Sequence, residues 1–158
     1  MSSAPSAKLS TSDLKTQQFN AHGVVEIWKD GDLIHYQATG PFNAELIDLL
    51  AIAQRDFLLE ARPTGAWVSI GTMLRSAMTS PEGIARYAAI MAAPKPNGMV
   101  PIATAFVMAP EVEGHLIMAA HYTRIFKDIG RTFQIFKSLP EAETWAHDLL
   151  AEQAKRNA

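Results

Sequence analysis

The sequence predicts a single α/β domain in which a mixed five-stranded sheet carries about four helices, in the order ββαβαβαβα. Three observations support this fold class. The chain has 158 residues, the size of one ordinary domain, and its 48% hydrophobic and 19% charged residues are typical of a folded core. Two nearly continuous apolar runs have the pattern of strands covered on both faces. Segments with helical periodicity follow these runs, which predicts parallel pairing through right-handed crossovers.

A flexible N-terminal tail is predicted for residues 1–20, followed by the domain at residues 21–158. From Met1 to about Thr16 the chain is rich in Ser, Thr, Ala and Lys, and Leu9 and Leu14 are its main apolar side chains. Such a stretch buries too little surface to offset the entropy lost on ordering.

The domain is predicted to open with a β-hairpin. Val24–Lys29 and Leu33–Thr39 are rich in β-branched and aromatic residues, and Asp30-Gly31 between them favours a type I′ turn. The first helix then begins after Asn43, a favourable N-cap residue. Its apolar residues recur at helical spacing: Leu46, Leu49, Leu50, Ala53 and Phe57.

Two strands in the middle of the sheet are predicted at Ala66–Ile70 and Ile102–Met108, because both are apolar runs bounded by Gly or Pro. A long loop, Gly71–Met78, is expected after the first of them. The helix between the two strands ends at the breaker-rich segment 94–98. One face of this helix is apolar, with Ile84, Tyr87, Ala88 and Met91.

The start of this second helix is signalled in two ways. Thr79 as N-cap places Glu82 at the third helical position, whereas Ser80 as N-cap places Pro81 at the first. Both assignments are compatible with the sequence.

The C-terminal third is predicted to form a helix, a strand and a helix. The third helix runs from about Val112 to Lys127, and Gly130 supplies its stop. Its predicted buried stripe is Val112, Leu116, Ala119, Ala120 and Phe126. Thr132–Phe136 alternates like a strand, and Ser138 with Glu141 predicts a capping box for the last helix. The apolar stripe of that helix is Ala142, Trp145, Ala146, Leu149 and Leu150.

Charge and composition exclude several functional classes. The net charge of −2 lacks the positive excess used to bind phosphate backbones, so nucleic acid is not an expected partner. The chain has no cysteine, and no apolar run is long enough to span a bilayer, so no stable membrane anchoring is expected. Without a secretory leader pattern, the expected location is cytoplasmic. His115 and His121 are displaced by about 120° around one helix, so no metal site is predicted.

A ligand or partner surface is predicted at Thr72–Gly83, together with the loop Pro110–Gly114. The carboxyl ends of central strands are where open α/β sheets commonly bind ligands. The candidate binding residues there are Met73, Arg75, Met78, Thr79 and Ser80. Methionines adapt to apolar ligands, and a helix N-terminus with a nearby arginine attracts anions.

Simpler roles exist for each of these residues. Thr79 and Ser80 are more simply helix caps, and methionines more often fill gaps in a core. No catalytic residue, cofactor or enzymatic activity is predicted, because the chain contains neither a G-x-S-x-G nucleophile turn nor a Gly-rich phosphate loop. A homodimer formed through the exposed hairpin edge is a further hypothesis.

The chain resembles the STAS/SEC14-like group of small bacterial domains, which includes the anti-sigma factor antagonists. The order of elements carries most of this resemblance over Val24 to Glu152. Local matches are Gly40-Pro41-Phe42, Trp67–Ile70, the helix entry Met78–Pro81 and the segment Phe136–Trp145. The resemblance implies a non-catalytic regulatory or interaction module with an unknown protein partner. The alternative it implies is a carrier of a small apolar or amphipathic ligand in a SEC14-like pocket.

In the antagonists, a serine at the start of the helix after the third strand is phosphorylated. Thr79 and Ser80 occupy the matching place, but the preceding Asp of the family pattern is absent and Pro81 has entered. The resemblance therefore leaves phosphorylation of Thr79 or Ser80 as a hypothesis.

Overall fold

Four helices and a six-stranded sheet make up the described part of the chain in a computed structural model, which describes residues 8–13 and 21–158. The strands are β1 Leu9–Ser10, β2 Val24–Asp30, β3 Leu33–Thr39, β4 Val68–Leu74, β5 Ala103–Val107 and β6 Phe133–Phe136. The helices are α1 Ala44–Ala61, α2 Pro81–Ala92, α3 His115–Asp128 and α4 Leu139–Arg156. The predicted order of elements is confirmed from β2 onwards.

The sheet follows the order of the chain, β1-β2-β3-β4-β5-β6. β1, β2 and β3 pair antiparallel, and β3 to β6 pair in parallel. The sheet is mixed, as predicted, but it has six strands rather than five because Leu9–Ser10 pairs with Ile27 and Glu26 of β2.

The added strand lies within the predicted N-terminal tail. A 3₁₀ turn, Thr11–Asp13, follows β1, and Thr11 is buried with its Oγ1 accepting a hydrogen bond from the backbone N–H of Val25 at 2.9 Å. The rest of the predicted tail, residues 1–7 and 14–20, lies outside the described residues.

The predicted caps of α1 and α2 agree with the local sequence signals, whereas Ser138 makes no side-chain hydrogen bond to the backbone of α4. β2 and β3 are joined by Gly31-Asp32, one residue later than Asp30-Gly31, and the turn is not the predicted type I′, because Gly31 has a positive φ of 59° but Asp32 does not. Asn43 caps α1 by accepting from the N–H of Leu46. Ser80, not Thr79, caps α2: it accepts from the N–H of Gly83 and is followed by Pro81.

The helices lie on both faces of the sheet in unequal number. The larger core combines α1, α2 and α3 with one face, because the three parallel connections advance in the same direction and so share one side. On the opposite face α4 inserts the small side chains Ala142 and Ala146 against Val68, Ile70 and neighbouring residues.

Two further predictions about local structure were wrong in part. Gly71–Leu74 is not loop but the second half of β4, paired in parallel with Tyr36–Thr39 of β3, so the connection to α2 is shorter than expected. α3 starts at His115 rather than Val112, and the predicted stripe is only partly correct, since Phe126 is buried but Leu116 is 75% exposed. The residues that α3 buries are Met118, Tyr122, Ile125 and Phe126.

Candidate ligand-binding cavity

A cavity lies inside the larger core, between the sheet and helices α1, α2 and α3. Its volume is about 80 Å³, several times the roughly 10–15 Å³ that one water needs. Much of its wall is apolar, including Val25, Ala38, Phe42, Leu46, Ile47, Leu50, Met73, Met91 and Phe106. Polar or charged groups also line it: Tyr36, Gln54, Ser69, Tyr87, Lys95, Thr104, Tyr122 and Arg131.

The strand register arranges the sheet residues that line the cavity in rows across neighbouring strands. Ser69 of β4 is paired with Thr104 of β5, and both are the second residue of their strand. The next row on the same face contains Tyr36, Gly71 and Phe106. Ser69 and Thr104 therefore lie near the amino ends of the parallel strands, and the row with Tyr36 lies deeper along the sheet.

Tyr36 contributes a buried hydroxyl to this wall. Its Oη has no hydrogen-bond partner among the described residues and is shielded from solvent. Burial raises the pKa of Tyr36 far above its usual value of 10.0, so the phenol stays neutral. Native proteins rarely leave a buried hydroxyl unpaired, because its desolvation is then uncompensated. A molecule with a polar atom in the cavity would supply the partner.

Tyr122 has a hydroxyl with a different environment. Its Oη and the Oγ1 of Thr79 form a buried hydrogen bond of 2.7 Å, and Thr79 Oγ1 also donates to the carbonyl of Ala77. Burial raises the pKa of Tyr122. The pKa of Tyr87 is raised by burial and by the neighbouring phenols of Tyr122 and Tyr36. All three phenols therefore stay neutral.

Aromatic rings hold this side of the cavity in place. The ring of Tyr87 meets that of Tyr122 edge-on at 5.4 Å between centroids, and Phe106 meets Tyr122 edge-on at 5.0 Å. Such edge-to-face pairs stabilise by about 0.5–1.5 kcal/mol each beyond the area that they bury. The wall formed by α2, α3 and β5 is therefore well fixed.

The half-buried end of the cavity carries its cations. Lys95 follows α2, and Arg131 precedes β6, so both lie at the amino ends of the parallel strands. Burial lowers the pKa of Lys95, and the positive charge of Arg131 lowers it further. Val25, Phe42 and Met73 at the other end are buried, whereas Lys95, Arg131 and Gln54 are half-buried. The opening is therefore at the cationic end.

The residues selected from the sequence separate into two groups. Met73 is buried and lines the cavity. The lining does not include Arg75, Met78, Thr79 or Ser80. Thr79 reaches the cavity only through its bond to Tyr122, and Ser80 accepts from the N–H of Gly83.

The loop that carries these residues is tied to its neighbour. Ser76 Oγ donates to Glu113 Oε1 at 2.6 Å, and the N–H of Ala77 donates to the carbonyl of Glu113 at 2.8 Å. Arg75 has a φ of 67°, uncommon for a residue with a side chain. Met78 is 37% exposed. Its sulfur lies so close to Gly114 that a side chain at residue 114 would collide with it. Contacts within the chain therefore hold this loop in place.

Lys95, Arg131 and Tyr36 were missed as site residues. Lys95 lies in segment 94–98, whose prolines and glycine predict only the end of a helix. Tyr36 lies in a predicted strand, where an aromatic residue is common. A weak signal existed in the half-polar face of the central strands, since Ser69 and Thr104 interrupt two apolar runs at matching positions. Polar residues at one row of two adjacent buried strands favour a cavity rather than a dry core.

Other site chemistries find no support in the part of the chain that the structure describes. Residues 8–13 and 21–158 contain no group of three His, Asp or Glu side chains arranged to hold a metal ion. None of the described helices combines the length and apolarity needed to cross a bilayer.

Comparisons of the chain with protein-family models, with curated proteins and with solved structures found no match. The resemblance to STAS/SEC14-like domains therefore rests on the sequence segments and the order of elements.

Proposed function

We propose that this protein binds a small apolar or amphipathic molecule in the cavity between its sheet and helices α1, α2 and α3. The observation that carries the proposal is the combination of an apolar wall with the unpaired hydroxyl of Tyr36. Ligand sites are usually concave and largely apolar, with a few polar groups that orient the ligand. The proposed role is binding or carriage, without chemistry on the ligand.

The test uses a variant that fills the cavity. Ala38 lines the cavity, so Ala38→Phe places a ring in the space assigned to the ligand. The matched control is Ala85→Phe, which adds the same ring at an exposed position of α2. Binding is followed by the fluorescence of N-phenyl-naphthylamine, an uncharged apolar probe.

The wild type and Ala85→Phe are expected to bind the probe with equal affinity, and Ala38→Phe to bind at least about tenfold more weakly. Native mass spectrometry of protein purified without denaturant supplies a second readout, a small molecule that is retained by the wild type and lost from Ala38→Phe. Equal probe binding by all three proteins, or binding by none, would overturn the proposal.

A regulatory protein-binding role is a second candidate. Leu74 and Met78, at the predicted partner surface, are large apolar side chains that are 38% and 37% exposed, so both can contact a partner. If this surface binds a phosphorylation-controlled partner, Ser80→Asp should change the partner's affinity while the protein stays folded. Equal affinities would exclude the phosphorylation mechanism.

A further inference from the structure

We infer that the ligand of this cavity is an amphiphile whose carboxylate Arg131 binds at the half-buried end, while its mainly apolar remainder extends past the Tyr36 hydroxyl between β3, β4 and α1. This inference rests on the proposed function and adds the chemical class of the ligand. It follows from the charge, burial and hydrogen bonding of the residues at that end.

Arg131 is a cation without a partner. No described residue forms a salt bridge or side-chain hydrogen bond with its guanidinium, whereas Lys8, Arg55 and Arg86 each lie within ion-pair distance of a carboxylate. Its backbone is fixed, because its N–H donates to the carbonyl of Phe126 at 3.0 Å. A planar guanidinium with five donors matches the two oxygens of a carboxylate.

The described residues that line the cavity include no acidic group to neutralise this cation. Among the residues that line it, none is Asp or Glu, whereas both Lys95 and Arg131 are present. The two cations are close enough for Arg131 to act on the pKa of Lys95. A bound anion would relieve their repulsion, whereas a neutral or cationic ligand would not.

Lys95 supplies positive potential rather than a free donor. Its Nζ donates to the carbonyls of Ile90 at 2.6 Å and Ala93 at 3.0 Å, with a longer contact to Met91, and so caps the C-terminus of α2. Trp67 Nε1 donates to the carbonyl of Gly98 in the same connection. The segment is therefore held in place, and Arg131 remains the group available for direct contact.

Apart from the phenols of Tyr36, Tyr87 and Tyr122, the wall changes from polar to apolar along the strands. Ser69 and Thr104 form the row nearest the amino ends of β4 and β5, beside the segments that carry Lys95 and Arg131. Met73 lies four residues further along β4, and Val25 and Phe42 line the buried end. A ligand with one charged end and an apolar chain matches this gradient. A uniformly apolar ligand would leave the cations unpaired.

The experiment compares three probes that share a ten-carbon chain: decanoate, decanol and decyltrimethylammonium. Each displaces N-phenyl-naphthylamine from the full-length protein at one pH and ionic strength. Arg131→Gln removes the cation, and Arg131→Lys restores the charge without the planar fork. Arg124→Gln is the matched control, because Arg124 is an exposed residue of α3 outside the cavity and its loss changes the net charge equally.

Decanoate is expected to bind the wild type about tenfold more tightly than decanol, since a hydrogen bond between two charged groups is stronger than one to a neutral hydroxyl. Arg131→Gln should remove this preference by weakening decanoate about tenfold with less than about a twofold change for decanol. Arg131→Lys should retain part of the preference, and Arg124→Gln all of it.

The two proposals fail in different ways. If decanol or decyltrimethylammonium binds as tightly as decanoate, or if Arg131→Gln leaves decanoate affinity unchanged, the carboxylate inference is wrong while the cavity remains a binding site. If neither the fluorescent probe nor any of the ten-carbon compounds binds, both proposals are wrong.

Discussion

Removing one phenolic oxygen should have opposite effects at two tyrosines of the same cavity. Tyr36 Oη is buried without a partner among the described residues, whereas Tyr122 Oη is hydrogen-bonded to Thr79 Oγ1 at 2.7 Å. We therefore expect Tyr36→Phe to raise the free energy of unfolding of the ligand-free protein and Tyr122→Phe to lower it. The two substitutions delete the same atom from the same residue type, so each is the control for the other.

The magnitudes follow from the hydrogen bonding of each group. An unpaired buried hydroxyl costs about 1–3 kcal/mol, and water that enters the cavity would offset part of this. We expect Tyr36→Phe to stabilise the protein by about 1 kcal/mol. Tyr122→Phe loses a bond worth about 0.5–1.5 kcal/mol, while Thr79 keeps its bond to the carbonyl of Ala77. A difference of about 1 kcal/mol shifts Tm by about 2–4 °C in a domain of this size.

The assay is urea unfolding of protein stripped of bound small molecules, with calorimetry as the second readout. An unchanged m-value in both variants shows that the difference lies in stability rather than in the unfolded state. The reasoning about Tyr36 would be refuted if Tyr36→Phe destabilised the protein as much as Tyr122→Phe does. In that case its hydroxyl has a partner, and the main support for the proposed function is lost.

Three further predictions concern other parts of the fold. Ser80→Ala should lower the free energy of unfolding by about 1 kcal/mol in urea titrations, because Ser80 caps α2, and Ser80→Gly should cost only a few tenths. Burial lowers the pKa of His35 below 6.5 despite the opposing charges of Glu143 and Asp30. The unfolded chain therefore takes up this proton first, so stability should fall as the pH drops through about 6.5, and His35→Gln should flatten that slope. Leu116→Ala should change stability by less than about 0.5 kcal/mol and Met118→Ala should cost about 2–5 kcal/mol, which thermal unfolding can distinguish.

Local signals were sufficient for the elements whose structure is set by their own residues. The hairpin around Gly31 and the caps at Asn43 and Ser80 depend on turn geometry and on side chains that bond to nearby backbone. Gly71 weakened the strand signal within β4, where pairing with β3 and β5 on both sides overrides the low propensity of glycine. Because β3 and β5 are distant from β4 in the sequence, the residues around Gly71 give no signal of this pairing.

The face of α3 was ambiguous for a related reason. Leu116 and Ile117 are apolar yet exposed, and Met118 is buried, so three apolar residues in succession fit more than one helical stripe. Only contact with the sheet decides which residue faces inward.

The cavity could not be predicted because its parts are far apart in the sequence. Lys95 and Arg131 line the same end of the cavity only because α2 and α3 return the chain to the amino ends of the parallel strands. The rule that ligands bind beyond the carboxyl ends of strands directed attention to Met73 and the loop after it. Met73 does line the cavity, but Lys95 and Arg131 lie toward the amino ends of the strands.

The placement of α4 has a consequence for how the protein is made. In the described residues, α4 is the helix whose Ala142 and Ala146 cover the second apolar face of the sheet, and it follows every described strand in the sequence. A ribosome therefore releases it after those strands, so Val68, Ile70 and Val107 stay uncovered until residues 139–156 have been synthesised. Premature termination before Leu139 would leave that face open to other nascent chains, a recognised route to aggregation.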